Sequence, residues 1–185
     1  MIGAARGRLV AVLGALAGGG LGVLAATQPW GSATLVDGRA LEVAGQEAAD
    51  ALVLLALSSV ALGLVLAIAR PRGRVVLGVL AVVLGGLTIA QALAGADRVD
   101  DVLHERIADA TGLSGAAQAA EVAALALTGW PTASVVGGAI VALVGAWALL
   151  TGARWPERGQ RSDRYERTGS GLAWDVMDDG EDPTR

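Results

Sequence analysis

The chain of 185 residues has no cysteine, no lysine and no phenylalanine, and only one histidine and one tyrosine. Each absence closes a class of chemistry. Without cysteine there is no disulfide, no thiolate and no cysteine-held metal. Without lysine, all 14 basic side chains are arginine. Without phenylalanine, packing rests on small and aliphatic residues. Charge is also missing from four long runs, Leu9–Thr27, Ala51–Ala69, Val75–Ala94 and Pro131–Ala153, each 19 to 23 residues long. An α-helix of that length crosses roughly 30 Å of hydrocarbon. With 54% hydrophobic residues and a mean hydropathy of +0.55, the chain reads as an all-α membrane protein, a bundle of four transmembrane helices. The membrane domain is expected over residues 1–153 and a cytoplasmic tail over 154–185. Residues 28–50 and 95–130 become outer loops.

Arginine placement orients the bundle. Arg6 and Arg8 precede the first run. Arg70, Arg72 and Arg74 fill the short link between the second and third. Arg154, Arg158, Arg161, Arg164, Arg167 and Arg185 follow the fourth. The opposite side carries only Arg39, Arg98 and Arg106 among many acids. Arginine-rich short segments stay cytoplasmic, so both termini are expected inside, in the plasma membrane. The first run also resembles a signal peptide, with Ala25, Ala26 and Ala33 as small residues for cleavage. It is longer than a usual signal core and continues into Gln28-Pro29-Trp30 without a small-x-small end, so it is read as retained.

Glycine supplies the packing. Gly14, Gly18 and Gly22 repeat every four residues, which lays a flat stripe on one helix face and lets a second helix approach closely. Gly78, Gly85 and Gly86 in the third run and Gly137, Gly138 and Gly145 in the fourth offer similar surfaces. Outside the helices, Ala33–Val43 reads as a hairpin around Asp37-Gly38, a pair that tolerates positive φ. Two strands alone are barely stable. Val122–Thr128 is therefore expected to join as a third, making a small β cap that brings Trp30 near Trp130. Asp97–Thr111 reads as a separate outer amphipathic helix, with Val99, Val102, Leu103 and Ile107 on one face and Gly112 as its stop.

No reaction-carrying constellation is visible. Ser58, Ser59, Thr88, Gln91, Thr132 and Ser134 are the polar groups of the helices, and such residues more often bond between helices than hold substrate. His104, with Asp100 and Asp101 beside it, falls short of the three firm ligands zinc wants. No enzyme, cofactor or metal is expected, and no nucleic acid. Trp30, Trp130 and Trp155 sit at helix ends as an aromatic belt, and Gln28, Trp30 and Trp130 form a candidate outer pocket. Gly169-Ser170-Gly171 is a flexible joint before an acidic, amphipathic end in which Leu172, Trp174 and Met177 are candidate partner-binding anchors.

These landmarks resemble a family, the small actinobacterial membrane proteins associated with tryptophan biosynthesis. The matching points are Thr27-Gln28-Pro29-Trp30, Trp130-Pro131, Gly137-Gly138, Arg154-Trp155-Pro156, Asp163-Arg164-Tyr165, Trp174-Asp175 and Gly180-Glu181-Asp182-Pro183-Thr184. Where members often place a second Trp, this chain has Gly31. The resemblance implies no catalytic residue. The acidic, amphipathic end on its Gly-Ser-Gly joint instead suggests an accessory or scaffold membrane protein whose tail meets a cytoplasmic protein partner; the resemblance would make that partner an enzyme of aromatic amino-acid synthesis. The alternative is a facilitator or exporter of an aromatic amino acid, which four charge-free helices could only form as a homo-oligomer.

Overall fold

A computed structural model describes residues 4–152 and Trp155. Four apolar helices run alternately between two ends. They are α1 (Ala4–Thr27), α3 (Leu52–Ile68), α4 (Pro71–Thr111) and α6 (Trp130–Thr151). One end carries the start of α1, the end of α6 and the Arg70–Arg74 link. The other carries a cap: strands β1 (Pro29–Leu35), β2 (Ala40–Ala44) and β3 (Val122–Leu127), with short helices α2 (Gly45–Ala48) and α5 (Ala116–Ala120). Three of the four long helices are long and apolar enough to cross a membrane; α3, at 17 residues, is shorter.

Helix α6 is the hub of the bundle, packing along both α1 and α4. Contact is made backbone to backbone. A β-carbon built at Gly18 would stand 2.7 Å from the Gly137 carbonyl oxygen, and one at Gly145 the same distance from the Gly78 carbonyl oxygen. Gly85 and Gly138 meet in the same way. Gly14 lies against Val144 of α6, while Gly22 lies beside Gly137 on one side and Ala56 of α3 on the other. Lipid tails are as apolar as leucine, so close van der Waals contact is what holds such helices together.

Helix α4 differs from the sequence reading. The expected transmembrane run and the expected outer helix are one helix of 41 residues, about 62 Å long at the usual rise. Its buried positions follow one another at four- and three-residue steps: Arg74, Gly78, Ala81, Gly85, Thr88, Ala92, Gly95, Val99, Leu103 and Ile107. The stripe faces α6 in its lower half and the cap in its upper half. Charge returns at Asp97, but only on the exposed side, so nothing breaks the hydrogen-bond ladder. Gly112, at φ +69°, then ends it, donating its N–H to the Ala108 carbonyl.

The cap is a three-stranded antiparallel sheet in the order β2-β1-β3. Ala33 pairs with Leu41 on one side and Leu125 on the other. The hairpin turn corrects a detail: only Gly38 takes positive φ, and Asp37 does not. Gly38 donates to the Leu35 carbonyl, and Leu35 donates to that of Arg39, which is a tight turn closed by a left-handed glycine. Asp37 instead accepts from the Arg39 backbone N–H at 2.9 Å and its Nε at 2.6 Å. Those two hydrogen bonds hold its carboxyl below the ordinary carboxylate value.

Candidate functional site

The two ends of the bundle carry its most specific chemistry. At the tail end, Arg74 sits in the first turn of α4 with only 2% of its surface exposed. A charge buried among apolar helices needs partners. Arg74 donates from Nε to the Ala69 carbonyl at 3.1 Å. From Nη1 it donates to the Gly152 carbonyl at 3.2 Å and the Trp155 carbonyl at 2.9 Å. Its guanidinium also lies 5.7 Å from the centre of the Trp155 ring, within cation–π range. The last carbonyls of a helix lack partners of their own and carry partial negative charge. A guanidinium placed there answers both.

Trp155 is itself 4% exposed. Its indole N–H donates to Thr151 Oγ1 at 3.1 Å, and its ring rests on the backbone at Gly7. Ala11, Ala15, Leu66, Val144 and Ala148 complete the cluster around it. Three helices and the Arg70–Arg74 link therefore converge on the residue from which the tail departs. The candidate anchors Leu172, Trp174 and Met177 lie outside the described residues.

At the cap end, Trp30 is fully buried and donates its indole N–H to the Ala25 carbonyl at 2.8 Å. Its ring fills the space over Gly45 of α2 and Gly95 of α4. Trp130 packs, half-buried, against the same cluster, and Gln28 gives its carbonyl to Gly45 N–H at 3.1 Å. Gln28, Trp30 and Trp130, the candidate outer pocket, are neighbours here, and Trp30 is buried in the core with α2, β1 and α4 packed around it. Thr128 ties the same corner together: its hydroxyl donates to the Pro29 carbonyl at 2.8 Å and accepts from the Trp130 N–H at 3.4 Å, and its own N–H donates to the Trp30 carbonyl at 2.9 Å.

Open space lies elsewhere on the cap. A cleft of ≈ 530 Å³ is lined by His104 and Ile107 of α4, Gln118 and Ala119 of α5, and residues 122–125 of β3. Buried Gln118 ties α5 to α4 by donating to the His104 carbonyl. His104 is exposed, with Nδ1 2.7 Å from the Asp100 carbonyl. On the far side of the sheet, Arg106 reaches from α4 to the Glu42 carbonyl at 2.9 Å and the Glu47 carboxylate at 2.7 Å.

Arg74 and Gly95 are the residues that sequence reasoning passed over. A signal for Arg74 was present. It continues, by a step of four, the small-residue stripe of Gly78, Ala81 and Gly85, but three arginines in a short link read first as a topology signal. For Gly95 there was none, since its role depends on where Trp30 lands. No curated protein and no solved structure matches the chain. The family of the tryptophan-associated transmembrane protein matches over residues 8–184. With nearly its whole length so matched and several apolar helices able to lie in a bilayer, the chain belongs to that family and is a multi-pass membrane protein.

Proposed function

We propose that the protein is an accessory scaffold of the plasma membrane. It spans the bilayer four times with both termini in the cytoplasm, and offers its acidic C-terminal peptide to a cytoplasmic protein. It is not itself an enzyme and carries no cofactor. The observation that supports this reading is the junction at Arg74 and Trp155, which gives the tail a fixed point of departure. A tail that served only as solvated chain would need no such anchorage, nor Leu172, Trp174 and Met177 on an acidic background. A few apolar anchors carry most of the energy of a docking peptide. The family's association with tryptophan makes an enzyme of aromatic amino-acid synthesis the first partner to test. The backbone contacts at Gly18–Gly137, Gly85–Gly138 and Gly78–Gly145 occupy the space a solute path through one chain would need, so the facilitator reading is not preferred.

Crosslinking and affinity capture from membranes, with the intact chain and with one ending at Gly171, tests the scaffold. A cytoplasmic partner should be captured by the first and lost from the second. The triple variant Leu172→Ala, Trp174→Ala, Met177→Ala should behave as the truncation does. Identical partner sets for all three chains would overturn the reading.

A further inference from the structure

The two edges of the cap sheet are treated differently. A sheet edge exposes a row of unpaired backbone groups, and proteins block such rows with charge, proline, bulges or cover. At the β2 edge this is done: the outward carbonyl of Glu42 is taken by Arg106, and Glu42 and Glu47 put charge beside it. At the β3 edge charge and proline are missing, and one register shift, between Thr34 and Leu35, bends only its first residues. Val122–Leu127 contains no charged residue and no proline, and Leu125 and Leu127 are 56% and 66% exposed.

The register says which groups are free. Thr128 N–H bonds to the Trp30 carbonyl, and Ser32 and Thr34 stand opposite Ala126 and Ala124. In an antiparallel ladder, bonding alternates along the strand. Ala124 and Ala126 are turned to β1, so beyond the register shift at Ala123 it is Leu125 and Leu127 that present their N–H and carbonyl groups to the open edge. The cleft borders the first half of this strand, where residues 122–125 line it together with His104 and Ile107 of α4 and Gln118 of α5. Leu125 and Leu127 share the face of their partners Ala33 and Gly31, the face on which Val99 packs. Helix α4 seats Val99, Leu103 and Ile107 over β1 and β2 and reaches β3 at Val122, leaving the rest of β3 exposed.

We propose that the β3 edge is a docking site for an extended segment of a partner protein, which adds as a fourth strand. Charge at the two ends of the strand selects the segment. Glu121 stands where β3 begins. Exposed Asp97, Asp100 and Asp101 stand on α4 near the level of Leu127, because Val99 lies against Gly31, the partner of Leu127. Arg106 is engaged at the opposite edge, which leaves Arg98 as the base among these acids. The segment is therefore apolar at its centre, beside Leu125, and carries arginine or lysine at its ends. A second copy of the chain is the less suited occupant, since an antiparallel β3–β3 pair would set one acidic end against the other.

The test uses the full chain in nanodiscs and two fluorescent probes, Arg-Val-Thr-Val-Thr-Val-Arg and Glu-Val-Thr-Val-Thr-Val-Glu, read by polarisation. The arginine probe should bind and the glutamate probe should not. Leu125→Pro removes one outward N–H without touching a rung to β1, and proline is tolerated on such an edge. It should weaken binding at least about tenfold, the equivalent of one hydrogen bond of roughly 1.4 kcal/mol. Leu125→Ala keeps the N–H and should retain binding. Should Leu125→Pro fail to fold by circular dichroism, the exposed pair Asp97→Lys, Asp100→Lys serves instead and should reverse the preference between probes. Equal binding of both probes, no binding of either, full binding by Leu125→Pro, or an unchanged preference in the lysine pair would each overturn the proposal. So would a crosslinked homodimer that Leu125→Pro dissolves, which would assign the edge to a second copy.

Discussion

Arg74 is one of three arginines in five residues, and it alone among them is closed off from solvent. Arg70 and Arg72 need nothing but water. Arg74 instead replaces water with the carbonyls of Ala69, Gly152 and Trp155 and with the Trp155 ring. Hydrogen bonds from a charged donor contribute about 1.5–3 kcal/mol each, and removing the donor leaves buried acceptors unmet. Arg74→Met should therefore destabilise the folded chain by roughly 3 kcal/mol or more. Arg74→Lys, which keeps the charge but not the planar fork, should fall between. Thermal unfolding in detergent measures both. An unchanged midpoint for Arg74→Met would mean that the tail end is held by apolar packing alone.

At the scale of the element, glycines of one kind in the sequence divide into two kinds in the fold. Gly137 faces the Gly18 carbonyl and the backbone of Gly22, so a side chain there must push α1 away from α6. Gly86, one residue after Gly85, has nothing within 4 Å of an added β-carbon. Gly137→Val should cost about 1–3 kcal/mol by overpacking. Gly86→Ala should leave the fold intact and add about 0.5–1 kcal/mol, the usual gain of alanine over glycine in a helix. Unfolding midpoints shifted equally, or in the same direction, would show that the α1–α6 contact is not made as described. The continuity of α4 belongs to this scale too. Hydrophobicity ends near residue 95 because the solvent changes, not because the helix does. The four-residue spacing of Val99, Leu103 and Ile107 carries the same buried face onward to the sheet.

For the whole molecule, the arrangement brings the start of α1, the end of α6 and the Arg70–Arg74 link to one end and the sheet to the other. In the proposed orientation, which rests on arginine asymmetry, the first end lies in the cytoplasm. Because the chain has no cysteine, single cysteines report the orientation directly. Val36→Cys, at the 65% exposed tip of the hairpin, should react with a membrane-impermeant maleimide in intact cells. Ser170→Cys should react only after permeabilisation. The reverse pattern would invert the molecule and move the proposed docking peptide outside.

Local residue patterns decided a good deal by themselves. Charge-free runs gave the apolar helices, since backbone polar groups in an apolar setting must bond within their own segment. Asp37-Gly38 gave the hairpin and Gly112 the helix stop, because both depend on backbone freedom at one position. The third strand followed from the need of a two-stranded hairpin for cover. Other features were decided only by tertiary structure. Trp30 beside Pro29 has the local sequence of a membrane-surface anchor; it is a core residue because Gly45 and Gly95, distant in the chain, leave room for its ring. Arg74 is a clamp because the end of α6 arrives beside it. One sheet edge is covered and the other open because α4 packs over β1 and β2 and reaches β3 only near Val122. In each case the neighbours in the sequence set the backbone, and a remote segment set the burial.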